Sequence, residues 1–145
     1  MDAPEPADHH CGLVLADDHP DLLRELQILL RSEFNILQAV TDGQALMRAA
    51  YERKPRAIIT DIEMPGVDGI EACRNLLQQG LCQAALVLTM HNEEQVVRKA
   101  LQAGIRGYVL KTDATEELIP AVRSVLGGSL YLSRGVAGKV RNAPI

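Results

Sequence analysis

The 145-residue chain has no run approaching 18 consecutive apolar residues, which excludes a membrane-spanning helix. Its N-terminus lacks the basic start and apolar centre of a secretory signal, because Asp2, Glu5 and Asp8 carry the wrong charge. A cytoplasmic location is therefore expected, with no membrane partner. Cysteine is scarce and odd in number: Cys11, Cys73 and Cys82 show no close metal-ligand spacing, so free or buried thiols in a reducing compartment are expected. Positive charge is not in excess either. With a net charge of −4 and no basic stripe, and with Lys139 and Arg141 able to touch phosphate only weakly, the chain by itself is not expected to grip DNA. There is no internal repeat and no low-complexity tract.

What is present is an ordinary globular balance, 47% hydrophobic and 23% charged, over a length that suits one domain. Residues 1–11 are polar, hold Pro4 and Pro6 and show no periodicity; they read as a flexible leader, His9-His10 beside Cys11 included. From Gly12 short apolar runs alternate with amphipathic stretches. The runs cover about 12–17, 36–40, 57–61, 85–89 and 107–111. Between them, Pro20 opens a helix with Leu22, Leu26, Leu29 and Leu30 on one face, and Ala45, Leu46, Ala49 and Ala50 form a second stripe. Asp68 with Glu71 has capping-box spacing before Ile70, Cys73 and Leu77. Asn92 with Gln95 starts a fourth helix that Gly104 stops, and Leu118, Ala121, Val122 and Val125 mark a fifth, in which Pro120 predicts a kink or a late start. Five β-α units imply an α/β domain over 12–128: a parallel sheet ordered 2-1-3-4-5 with helices on both faces. Residues 129–145 read as a tail or the start of a linker. Gly135 to Val140 imitates a phosphate loop but has the wrong glycine spacing and no hydroxyl at Val140, so it too is assigned to a flexible tail.

That strand order brings the ends of the first and third strands together, and with them Asp17, Asp18 and Asp61. Three clustered carboxylates repel one another unless a cation compensates. Oxygen-only ligands favour Mg²⁺ or Mn²⁺ over zinc. Thr89 and Lys111 end the fourth and fifth strands beside them. A metal, a hydroxyl and an ammonium around one carboxylate suit a phosphoryl group. Asp18-His19-Pro20 would also serve as a helix cap, but capping does not explain two acids beside Asp61.

These residues, in this order, resemble the response-regulator receiver domains of two-component signalling, over Leu13 to about Leu126. The likeness rests on Asp17-Asp18, on residues 61–69 (Asp61-Ile62-Glu63-Met64-Pro65-Gly66-Val67-Asp68-Gly69), on Thr89, and on Gly107-Tyr108-Val109-Leu110-Lys111. Residues 88–91, 103–111 and 131–133 look most like the NarL/FixJ-type (LuxR-like) branch. The resemblance implies a flavodoxin-like (βα)5 fold and a phosphoacceptor switch rather than an enzyme. It makes Asp61 the acceptor, Thr89 and Lys111 the phosphoryl ligands, and Asp18, Asp61, Asp17 (through water) and Glu63 (backbone carbonyl) the Mg²⁺ ligands. Thr89 and Tyr108 become the switch pair, with Tyr108 on an edge strand. The implied partners are a sensor histidine kinase, a second copy on phosphorylation, and DNA only through a C-terminal helix-turn-helix; the 17 residues after Gly128 are too few for one. The surface expected to respond is that of Val96, Val97, Leu101 and Tyr108. A stand-alone receiver acting by docking is the alternative. An aspartyl phosphohydrolase fits less well, since Glu63 stands where a second Asp is needed and no cap domain fits. Glu63 and His91 occupy positions that in the family tune phosphoryl lifetime, and Thr112 follows Lys111 where many receivers have proline.

Overall fold

The computed structural model describes residues 12–139. The leader at 1–11, with Cys11, and the last positions, 140–145, lie outside the described residues. Strands β1 (Gly12–Ala16), β2 (Asn35–Val40), β3 (Ala57–Thr60), β4 (Ala84–Thr89) and β5 (Gly107–Leu110) alternate with helices α1 (Pro20–Leu30), α2 (Gly43–Arg53), α3 (Gly69–Gln78), α4 (Glu94–Gln102) and α5 (Ala114–Leu126). A sixth strand, β6 (Tyr131–Leu132), and a short helix, α6 (Arg134–Ala137), follow. All pairings are parallel, in the order β2-β1-β3-β4-β5-β6.

The strands β1, β3 and β4 are buried along their whole length, as their near-continuous apolar sequences require of a sheet covered on both faces. One core layer packs α2, α3 and α4 against Val14, Ile58, Ala85 and Val87. The opposite layer packs α1 and α5 against Leu13, Leu15, Ile59, Leu86 and Leu88. Alternate residues of each strand feed the two layers, which is the period of a pleated strand.

The expected helix faces hold with small shifts. Helix α1 buries Leu23, Leu26 and Leu30, with Leu22 and Leu29 at the flanks; α3 buries Leu76 more deeply than Leu77. Helix α4 starts at Glu94, not at Asn92; Glu93 holds the N-cap position without a side-chain bond to the helix. Asp68 caps α3 as expected, its Oδ1 accepting from Ile70 N (2.7 Å) and Glu71 N (3.3 Å). Pro120 neither delays nor interrupts α5. It stands on the exposed face, as does Glu116, whose carbonyl it leaves without an i+4 amide. The Lys111–Thr112 bond is trans, like every peptide bond among the described residues.

Three expectations are corrected. Residues 131–139 are not a loose tail: β6 pairs with β5, and Ser133 and Val136 are fully buried. As a result β5 is not an edge strand, and Tyr108, at 0% exposure, belongs to the core. The cause is local. Gly127 and Gly128 end α5, the latter with φ +88°, and turn the chain back beside β5, where a Tyr-Leu pair extends the sheet. The responsive surface assigned to α4 is likewise mostly interior, since Val97 and Leu101 are buried and only Val96 is partly open.

Candidate functional site

Register sets the site. Ala16 lies opposite Thr60 and Thr89 opposite Leu110, so the next residue of each of these strands reaches the same end of the sheet. Asp17 continues β1 with its N–H on Val40 O (3.1 Å), and Asp61 continues β3 with its N–H on Ala16 O (2.9 Å). A cleft of about 250 Å³ there is lined by Asp18, His19, Asp61, Glu63, Thr89, Met90, His91 and Lys111. Asp17, next to the lining residue Asp18, is 1% exposed, and Asp61 is 6% exposed.

Asp61 is held from several directions. Its Oδ1 accepts from Ile62 N (2.7 Å) and, weakly, Glu63 N (3.5 Å), while its Oδ2 takes Lys111 Nζ at 2.8 Å. Its carbonyl receives the Thr60 hydroxyl at 2.8 Å. Gly69 N bonds Ile62 O at 2.7 Å and folds the 61–68 loop back; a Cβ on Gly69 would lie 2.0 Å from Asp61 O. Lys111 Nζ also lies 3.0 Å from Asp17 Oδ2. Burial alone would pull the lysine pKa down, but its bonds to Asp61 and Asp17 overcome this and hold it above the usual value.

Asp17, Asp18, His19 and Asp61 each place one ligand atom within 4.8 Å of the others. The His19 Nδ1 lies 2.9 Å from Asp17 Oδ1 and 3.0 Å from Asp18 Oδ1. Asp17 Oδ2 and Asp18 Oδ1 are buried and make no hydrogen bond of good geometry, although Lys111 Nζ lies 3.0 Å from the first and His19 Nδ1 3.0 Å from the second. Buried carboxylate oxygens left this way are costly without a cation, so the donor set fits a hard divalent ion. Neither acid caps α1 with its side chain, which disposes of the capping alternative.

Thr89 is fully buried; its Oγ1 accepts from His91 N (3.3 Å) and, among the described residues, donates to no one. Tyr108 Oη donates to His91 O at 2.7 Å, tying the core tyrosine to the loop after Thr89. Burial pushes the Tyr108 phenol well above its ordinary pKa. Glu63 and His91, two residues beyond Asp61 and Thr89, meet at the mouth of the cleft, where the Glu63 carboxylate bonds His91 Nε2; this bond raises the imidazole pKa. All the expected site residues thus converge. Sequence reasoning missed His19 as a site residue, though its place directly after the acidic pair was a signal. It also missed Met90, 65% exposed on the rim, which nothing in the pattern distinguishes.

A doubly wound parallel sheet with an acidic cleft at the carboxyl ends of its strands defines an α/β domain whose ligand crevice lies there. The chain belongs to the response regulator receiver domain family, which matches residues 13–123. It is 33% identical to the response regulator GacA of Pseudomonas aeruginosa over 86% of this chain and 59% of that protein. It is 37% identical to the transcriptional regulatory protein DegU of Brevibacillus brevis over 83% of this chain and 52% of that one. Among solved structures, a LuxR-family two-component response regulator from Aurantimonas sp. SI85-9A1 superposes with a TM-score of 0.84 at 30% identity, covering 90% of this chain and 95% of that one. The chain spans between half and three-fifths of the length of the curated relatives named here.

Proposed function

We propose that Asp61 is the phosphoacceptor of a signalling switch, taking its phosphoryl group from the phosphohistidine of a sensor histidine kinase with Mg²⁺ (or Mn²⁺) as cofactor. One observation carries the reading: Lys111 Nζ bridges Asp61 Oδ2 and Asp17 Oδ2 beside Asp18, whose buried Oδ1 lacks a hydrogen bond. A carboxylate oxygen of Asp61 forms the new P–O bond while the P–N bond to the kinase imidazole breaks, its electron pair staying on that nitrogen. Asp18, Asp61 and the Glu63 carbonyl would hold the cation directly, and Asp17 through water. Bound there, the cation offsets the negative charge of the phosphoryl oxygens. Lys111 would take one of those oxygens by charge and Thr89 another through its free hydroxyl proton.

Thr89 and Tyr108 form the switch pair, because both bond the backbone of His91. A move of Thr89 toward phosphate disturbs the bond that holds Tyr108. Turning a mostly inactive population into a mostly active one takes about 5 kcal/mol of differential stabilisation, for which the new anion's bonds to Thr89 and Lys111 are the source. For the whole protein we propose control of transcription through a DNA-binding segment outside these 145 residues, with a second copy recruited on phosphorylation. That the relative DegU is a transcriptional regulatory protein supports the control of transcription.

Incubation with acetyl phosphate and Mg²⁺ is expected to add one acid-stable, base-labile phosphoryl group. Asp61→Asn is expected to abolish it, and full incorporation by that variant, read by mass spectrometry, overturns the assignment. In a Mg²⁺ titration followed by NMR shifts, Asp18→Ala is expected to lose the site; unchanged affinity removes Asp18 from the ligand set.

A further inference from the structure

We propose that Ser133, beyond the last long helix, is a positioning residue for Lys111, an inference that rests on the reading of Asp61 as phosphoacceptor. Lys111 opens a single 3₁₀ turn, Lys111–Asp113, as the chain leaves β5. The two ends of that turn are joined by one buried hydroxyl. Ser133 Oγ accepts from Leu110 N at 3.0 Å and donates to Asp113 Oδ2 at 2.7 Å. A hydroxyl has a single proton, so the donation to Asp113 commits it, and the brace spans the lysine turn from both sides.

The brace itself is anchored. Ser133 N bonds Tyr108 O at 3.0 Å, and Ser133 O accepts from Val136 N and Ala137 N, both at 2.9 Å. The Asp113 carboxylate oxygen that takes the serine proton also takes Gly135 N at 3.0 Å. Gly135 approaches so closely that a Cβ there would lie 2.4 Å from Leu110 Cδ1. From the other side, Asn92 Nδ2 donates to Gly135 O at 3.3 Å. Asn92 lies three residues beyond Thr89, so residues 133–135 touch both the turn that carries the ammonium and the loop that follows the hydroxyl. Apolar filling alone does not call for this arrangement: Val136 fills the apolar site beside it, whereas a serine at zero exposure is tolerated only with its hydrogen bonds made. An ammonium that must meet a phosphoryl oxygen acts through its preset position, and Ser133 presets it.

The test uses Ser133→Ala and, in case that variant does not fold, Asp113→Asn, each in the full 145-residue chain. Both are expected to slow phosphorylation of Asp61 by acetyl phosphate roughly tenfold and to weaken beryllofluoride binding in proportion, with Mg²⁺ affinity held within about twofold of wild type. The Mg²⁺ arm separates positioning from collapse, because the backbone of Asp17 and Asp61 is held by Val40 O and Ala16 O, outside the brace. Wild-type rates in both variants overturn the proposal, as does a fall of Mg²⁺ affinity in step with the rate. A wild type that takes no phosphoryl group at Asp61 overturns the function proposed above, and this inference with it. A phosphorylated wild type matched by its variants overturns this inference alone.

Discussion

At Gly69 the chain has no side chain because there is no space for one. A Cβ would lie 2.0 Å from the Asp61 carbonyl oxygen and 3.0 Å from its carbonyl carbon, and both are backbone atoms that cannot rotate away. The glycine lets α3 start directly under the acceptor loop, with Asp68 capping it. Gly69→Ala is expected to destabilise the domain by about 2 kcal/mol, within the usual range for forced overpacking, and to lower phosphorylation because Asp61 itself must shift. Urea unfolding and acetyl phosphate labelling together check both halves. A similar closeness governs Glu63 and His91. Their side chains meet across the cleft although 28 positions separate them, a contact no local pattern announces.

At the scale of elements, the sixth strand and α6 belong to the cooperative fold. Val136 is fully buried in the layer that also holds Tyr108 and Val97. Tyr131 Oη donates to Glu117 Oε1 at 2.9 Å, and Arg134 N reaches the same carboxylate at 3.1 Å, so α5 and the final segment are pinned together. Val136→Ala removes two methyl groups from a filled site and is expected to cost about 2 kcal/mol. A fall in the thermal midpoint by several degrees checks this, and an unchanged midpoint would mean that the segment melts independently of the sheet. The alternation of strands and helices was legible because each has its own hydrophobic period, and Asp68 was legible because capping is local. A two-residue strand has no period to detect, and β6 exists only because β5 offers it an open edge. Pro120 was overread for a related reason. Its effect depends on which side of α5 faces water, and that is decided by packing.

For the whole molecule, buried thiols and phenols set the alkaline limit of stability. Burial raises the Cys82 thiol from 9.0 to about 11, and Cys73 and Tyr108, in the same layer, shift further in the same direction. Groups whose pKa is raised by folding stabilise the native state fully below their unfolded pKa, and that stability is lost as pH rises toward the folded value. Unfolding free energy from guanidinium titrations is therefore expected to decline from about pH 9 upward. Cys82→Ala is expected to make that decline shallower, and an equal slope in both proteins counts against the assignment. In a Cys11→Ser background, neither Cys73 nor Cys82 is expected to react with a thiol reagent at pH 7.5 until the protein unfolds.

The sequence alone determined the α/β class, the order of the five main strands, and the gathering of Asp17, Asp18, Asp61, Thr89 and Lys111 at one end of the sheet. It could do so because strand ends in a parallel sheet share one edge, and because apolar runs mark those ends whatever surrounds them. The tertiary structure decided what depends on neighbours distant along the chain. Lys111 bridges two acids because β1, β3 and β5 run in register across the sheet. Tyr108 is core because β6 covers its strand, and the turn that bears Lys111 is braced by a serine 22 positions further on. Side-chain period and turn chemistry are written over a few residues, whereas burial and brace arise only when the sheet has closed.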